Sequence, residues 1–206
     1  MRTVTKRAAL AGVVAASGLA AVLLAGGAGK VEQAAAAPAG QFAIDPVHTT
    51  VVFKIQRLTG APFYGTFKEV KGSFLLDAAD AGKSSLSVEV PTASIDSNDP
   101  GRDKHLKSQD FFSAEEFPTL SFQSTAVKKT GEKEFEAAGT LSLRGQSKPV
   151  TVKLRETGSG SARGGGTMVG YDVTFAFKRS EFGMTKYSEA LGDEVTIIAG
   201  LEGVKK

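Results

Sequence analysis

Tyr171-Asp172-Val173-Thr174-Phe175-Ala176-Phe177 places Tyr, Val, Phe and Phe on one parity and Asp, Thr and Ala on the other. A helix would scatter these side chains around its axis. A strand, with its period of two, gathers the large apolar ones on one face. The same alternation recurs along the chain. Upstream it runs through Val51, Phe53 and Ile55, then Phe63, Gly65 and Phe67, with Phe74 and Leu76 continuing after Gly72. Leu86, Val88 and Val90 follow, then Leu120 and Phe122, then Phe135 to Leu143 in steps of two, ending at the turn Arg144-Gly145. Val150, Val152 and Leu154 precede the quoted stretch, and Val195, Ile197 and Ala199 follow it with Ile198 on the other face. These make about eight strands joined mostly by hairpin-length turns, and they predict an all-β chain whose antiparallel strands close into an up-and-down barrel without exposed edges. Such a barrel either fills itself with side chains or encloses one small ligand.

Two features interrupt the pattern. Arg102-Asp103-Lys104-His105-Leu106-Lys107-Ser108-Gln109-Asp110-Phe111-Phe112 reads as a short charged helix ending on two phenylalanines. Asn98 or Asp99 is placed to cap it, and Pro100 suits its first turn. A second short turn is expected over residues 180–187. Glycines 65, 72, 139 and 170 lie in or beside strands, where they mark bends, bulges or close approach of another group. Residues 158–166 read as a glycine-rich hairpin tip without a P-loop signature.

The N-terminus carries Arg2, Lys6 and Arg7, an apolar run of ~18 residues and then small residues, the three-part layout of a secretory signal peptide. Residues 1–37 are therefore expected to be leader and low-complexity linker, and 38–206 the barrel domain. An uncleaved membrane anchor is the alternative, since the run nearly reaches spanning length. The whole chain has a formal net charge of +3, but removing the leader's four basic residues and one acidic residue from 25 and 22 leaves 21 of each. The exported part is then neutral overall, and nucleic acid is not an expected partner. There is no cysteine, hence no disulfide and no thiolate chemistry.

Catalytic signatures are weak. The only histidines are His48 and His105, with no cysteine and no H-E-x-x-H spacing, so hydrogen-bonding roles are expected for both rather than a metal site. No G-x-S-x-G elbow is present. Glu115-Glu116 reads as a solvated turn. The aromatic usage says more: 13 Phe against 3 Tyr and no Trp. Phe is the aromatic without a polar handle, which suits a dry interior. A barrel lined by Phe and Gly suits either a solid core or an elongated cavity for an acyl or prenyl chain. Arg102, Lys104, His105 and Lys107 are either solvated charge or, at a barrel mouth, partners of a polar head group.

Five ordered motifs resemble the YceI-like family of exported, lipocalin-like, polyisoprenoid-binding proteins. They are Ile44-Asp45-Pro46-Val47-His48-Thr49; Gly65-Thr66-Phe67 with Gly72-Ser73-Phe74; Arg102-Asp103-Lys104-His105-Leu106 with Asp110-Phe111-Phe112 and Phe117-Pro118; Gly139-Thr140-Leu141 with Arg144-Gly145 and Lys148-Pro149-Val150; and Arg179-Ser180-Glu181-Phe182-Gly183-Met184 with Gly192-Asp193-Glu194-Val195. The resemblance covers Phe42 to about Val204. It implies an extended eight-stranded antiparallel lipocalin-like barrel with one or two short helices. Its tunnel would hold a long-chain isoprenoid or fatty amphiphile, of the isoprenoid quinone or polyprenyl phosphate class, without catalysis, cofactor or metal. Arg57 stands where many members carry histidine at the end of the first long strand, which bears on head-group preference.

On that reading the expected tunnel lining is Phe53, Ile55, Phe67, Phe74, Leu86, Val88, Phe122, Leu141, Phe175 and Phe177, with the opposite strand face as the alternative for each. His48, Arg102, Asp103, His105 and Arg179 are expected at the mouth or bracing the helical break. The partners implied are the lipid, transient contact with a membrane, and at most a second copy of the chain, in a periplasmic or extracellular setting. The competing readings are a solid barrel acting as a protein-interaction or stress-response module, and a lipid hydrolase.

Overall fold

Period-two alternation produces eleven strand segments among residues 41–205, the part of the chain that the computed structural model describes. They are β1 (Phe42–Ile44), β2 (Thr50–Arg57), β3 (Phe63–Phe67), β4 (Lys71–Leu75), β5 (Ser85–Pro91), β6 (Ile95–Asp96), β7 (Thr119–Lys129), β8 (Glu134–Leu143), β9 (Gln146–Ser161), β10 (Thr167–Lys178) and β11 (Leu191–Lys205). The leader and linker expected over residues 1–37 lie outside the described residues.

Register reduces the eleven segments to eight staves. β1 and β2 follow one another along the same edge of β11, with Ala43 opposite Val204 and Val51 opposite Ala199. β3 and β4 lie beside that combined stave, Phe67 opposite Val51 and Phe74 opposite Phe42. β6 and β5 in turn lie beside β3 and β4. β7 to β11 supply five unbroken staves, every pairing is antiparallel, and β1 closes the ring on β11. The expected eight-stranded barrel is present, with three of its staves broken at mid-length.

The first break is fastened by its own sequence. Between β1 and β2, the Asp45 amide donates to the Glu202 carbonyl at 2.9 Å, and the Thr49 hydroxyl accepts from the Glu202 amide at 3.1 Å. The Asp45 carboxylate accepts from the Val47 amide at 2.8 Å. The Asp-Pro-Val-His-Thr motif thus replaces ladder bonds that the bulged backbone cannot make.

Inside, the expected parity holds. Val51, Phe53, Phe67, Leu86, Phe122, Val152, Val173 and Val195 are buried in one continuous core, while Ile198 is exposed. Outside, the staves carry ion pairs such as Lys128 with Glu136 at 2.8 Å and Arg155 with Asp172. A membrane-spanning barrel shows the opposite arrangement, apolar outward and polar inward. Two glycines make room for the aromatic interior. A Cβ at Gly65 would penetrate the Phe53 ring, and one at Gly139 would stand 2.6 Å from Cζ of Phe122. Each glycine leaves room for a neighbouring ring to approach the backbone closely.

The two barrel ends differ. At one, Phe74 is wholly buried between Phe42, stacked at 5.6 Å, and Tyr171, edge-on at 5.5 Å. Phe135 packs on the same Tyr171. This aromatic plug is dry enough that burial, with Glu156 nearby, pushes the Tyr171 hydroxyl up to about 12. At the other end the chain leaves β6 for the helical break. Helix α1 (Pro100–Leu106) is capped by Asp99, whose carboxylate accepts from the Arg102 amide at 2.7 Å. It is shorter than the charged segment suggested, and turns carry the chain on through Phe112. Beyond β10 a single short 3-10 helix, Arg179–Phe182, occupies the start of the second expected turn. The glycine-rich tip also differs from expectation: β9 and β10 stay paired out to Ser161 and Thr167. Ladder bonds run through backbone groups, so glycine does not end them, and only residues 162–166 form the turn.

Candidate functional site

The barrel interior contains a cavity of about 110 Å³, and a second of about 440 Å³ adjoins it at the α1 end. The inner one is lined by side chains from β2, β3, β5 and β7 to β11, and apart from Thr49 and Ser121 every lining residue is apolar. Phe53, Phe112, Phe177 and Val195 line both cavities and mark the boundary between them. The outer cavity is the mouth. Its wall combines Ile55, Phe63, Leu106, Phe111, Met184 and Leu191 with Arg57, Arg102, His105, Arg179 and Tyr187.

Phe53, Phe67, Leu86, Val88, Phe122, Leu141, Phe175 and Phe177 face the inner cavity, and Ile55 faces the mouth. Phe74 does not reach the lumen; it forms the plug beyond it. Sequence reasoning missed Val173, Val195 and Ile197 as lining, although they share the parity of residues it named. It also missed Tyr187, which lies on an irregular loop with φ of 58° and has no periodic signal.

The polar candidates separate into three groups. Arg102 and Asp103 brace the break from opposite sides of Ser97. Asp103 accepts from the Ser97 amide at 2.7 Å, while Arg102 donates through Nε to the Ser97 hydroxyl at 2.9 Å and through Nη2 to its carbonyl at 2.7 Å. The Arg102 guanidinium lies 4.4 Å above the Phe63 ring, so it both fixes the helix and lines the mouth.

His105 joins an aromatic cluster that seals one side of the mouth. Its ring meets Phe111 edge-on at 5.1 Å and Tyr187 at 5.8 Å, and Phe111 stacks on Tyr187 at 6.2 Å. Its Nε2 is 3.0 Å from the Asp110 carboxylate, and that hydrogen bond holds Asp110 below the usual carboxylate range. Arg179, only 3% exposed, spends its donors on backbone carbonyls of the loop before β11 and of the first residues of β11, among them Lys186 at 2.8 Å and Gly192 at 2.9 Å. A buried cation on carbonyls rather than a carboxylate is costly to desolvate, and burial lowers its pKa. What it achieves is a fixed loop that carries Tyr187 to the mouth. Arg144 adds a second tie from the β8–β9 turn, donating to the carbonyls of Gln109 at 2.7 Å and Gly183 at 2.9 Å.

His48 is a correction. It lies at neither the mouth nor the helical break, but on the outer surface at the β1–β2 break, beside Asp45 at 2.8 Å and Glu202 at 3.6 Å. Linear motif order could not reveal this, because Glu202 of β11 is 153 residues from Thr49 in sequence yet adjacent in the closed sheet. The ligating atoms of Asp45, His48 and Glu202 lie within 4.8 Å of one another, and the direct His48–Asp45 hydrogen bond already engages Nδ1.

That hydrogen bond raises the His48 pKa and lowers that of Asp45. A raised histidine contributes stability that is fully present below the ordinary imidazole pKa and lost as pH rises through the folded value. The lowered aspartate contributes stability that is present above the ordinary carboxylate pKa and lost as pH falls through its folded value. The unfolding midpoint of the native protein should therefore fall between mildly acidic and mildly alkaline pH by more than that of His48→Gln. Equal slopes in the two proteins would refute the assignment.

Comparison with known proteins agrees with this architecture. The YceI-like domain family model matches residues 42–202. A UPF0312 protein of Azotobacter vinelandii is 41% identical over 159 residues, covering 77% of this chain and 83% of the relative. The crystal structure of BcnA from Burkholderia cenocepacia superposes with a TM-score of 0.71 at 24% identity, covering 77% of this chain and 98% of that one. A polyisoprenoid binding domain from Saccharophagus degradans, implicated in plant cell wall breakdown, superposes with a TM-score of 0.61 at 12% identity, covering 80% and 98%. At these identities the two structures establish a shared fold.

Proposed function

The chain belongs to the YceI-like domain family, and from that premise we propose that it binds a long-chain isoprenoid lipid in its tunnel and carries or stores it without chemical change. The observation that carries this reading is an apolar lumen that shares Phe53, Phe112, Phe177 and Val195 with an adjoining mouth of mixed character. The Saccharophagus relative described as a polyisoprenoid binding domain, which shares the fold, supports the same ligand class.

The energetics favour a long tail. Each buried CH₂ contributes roughly 0.8 kcal/mol, so three isoprene units amount to roughly 10 kcal/mol before ordering costs are subtracted. The tail therefore supplies most of the affinity, and the mouth selects the head. The leader layout of the sequence supports an exported, periplasmic or extracellular setting, where an apolar lipid needs a shielded path between membranes.

The test is mass spectrometry of an organic extract of the untagged protein purified from its exported fraction. An isoprenoid lipid at near-stoichiometric amount is expected, and an intact mass lacking the leader should accompany it. A lipid-free protein that also takes up no added isoprenoid would overturn the carrier reading and leave the protein-docking module. Reproducible turnover of a lipid ester, lost on a single substitution, would instead establish a hydrolase.

A further inference from the structure

The mouth is electrostatically one-sided. Its lining includes three arginines, Arg57, Arg102 and Arg179, and one histidine, yet no carboxylate. The carboxylates of the neighbouring helical segment are engaged elsewhere: Asp99 caps α1, Asp103 is held by Ser97 and Asp110 by His105. Lys186, 5.9 Å over the Tyr187 ring, adds another cation beside the opening.

The three arginines are not equivalent. Arg179 is spent on loop carbonyls. Arg102 has Nε and Nη2 committed to Ser97 and a face on Phe63, which leaves Nη1 without a protein acceptor among the described residues. Arg57 ends β2 opposite Leu191, and its guanidinium makes no hydrogen bond or ion pair with any described residue. An unengaged guanidinium at the rim of an apolar tunnel offers a planar fork of donors that matches two oxygens of one anion.

Resting on the lipid-carrier reading above, we infer that the mouth selects an isoprenoid bearing an anionic phosphate or carboxylate head, and that Arg57 is the residue that makes the selection, with Arg102 assisting through Nη1. Arg57 and Arg102 are both solvent-exposed, so a neutral head leaves both to water and gains no charge-assisted pair, and an amine head is repelled by them. The tail is read by area and is indifferent to the head, so selectivity rests on this pair.

The experiment uses the delipidated exported protein and an uncharged apolar dye that fluoresces in the tunnel. Geranylgeraniol and geranylgeranyl monophosphate, which share one tail, compete for the dye. The phosphate is expected to displace it at a concentration about tenfold lower than the alcohol. In Arg57→Gln that ratio should fall to roughly threefold or less, whereas Arg155→Gln on the outer wall should keep the native ratio. Arg57→Lys retains the charge but not the fork and should lie between. A ratio near one in the native protein overturns the inference while the carrier reading stands. A ratio unchanged in Arg57→Gln overturns the role of Arg57. Neither compound displacing or replacing the dye overturns the carrier reading itself. Inorganic phosphate separates the two sources of the anion: it should leave the dye in place even at millimolar concentration. Binding of inorganic phosphate as tight as that of the prenyl phosphate would mean that the mouth serves a free ion, and would also overturn the inference.

Discussion

Phe175→Glu is expected to emerge folded but empty of lipid. Phe175 faces the inner cavity from β10, opposite Ile197 on β11, and packs beside Phe177 at 6.4 Å between ring centroids. No basic side chain is among the residues lining that cavity. A carboxylate placed there has no partner, and an unpaired charge in such surroundings costs several kcal/mol, met by taking up a proton or drawing in water. Either outcome ruins the lumen for a hydrocarbon tail, and the retained lipid should drop to background in the organic extract. Circular dichroism should still report a β-barrel, since the ladder that holds β10 between β9 and β11 runs through backbone groups. Thr174→Glu on the same strand is the control. Thr174 is exposed and points away from the lumen, so its variant should keep native lipid content. Full lipid retention in Phe175→Glu would show that the tail does not occupy this cavity.

Phe74→Ala should cause the largest loss of stability. The ring is 0% exposed, stacks on Phe42, meets Tyr171 edge-on and fills the space above Gly203, where a Cβ would overlap it. Removing it deletes the centre of the plug and leaves a cavity, for which losses of about 3–5 kcal/mol are typical. For a domain of this size that corresponds to a fall in Tm of roughly 10 °C or more. The same change lengthens the apolar bore, because Phe74 lies opposite Leu86, which lines the cavity. Lipid extracted from the variant should therefore shift toward longer chains. A loss below about 1 kcal/mol would mean that the neighbouring rings close over the gap and that the plug does not depend on Phe74.

The inward face of every stave was legible because strand periodicity is local. The parity that places Val173 and Phe175 inside places Thr174 outside without any knowledge of the partner strands. The helical break was equally legible, since Asp99 and Pro100 are local signals. Phe74 shows where that reasoning stops. It carries the right parity, but parity cannot say how far along the barrel axis a residue lies. Depth depends on stagger between staves, and stagger placed Phe74 in the plug and Phe53 at the boundary between the cavities.

The polar residues show the same boundary more sharply. His48, Arg57, Arg102 and Arg179 are all marked by motif or by departure from it, and their chemistry is fixed by residue type. Their roles are not. Closure of β1 and β2 onto β11 made His48 part of a fastener, and the loop before β11 together with the start of that strand consumed the donors of Arg179. Arg57 was left without a described partner because the chain brings no carboxylate to the mouth. Alternation of side chains along the backbone therefore settles fold class and inside from outside. Which charges remain available at the opening is set by contacts between segments far apart in sequence, which exist only once the ring has closed.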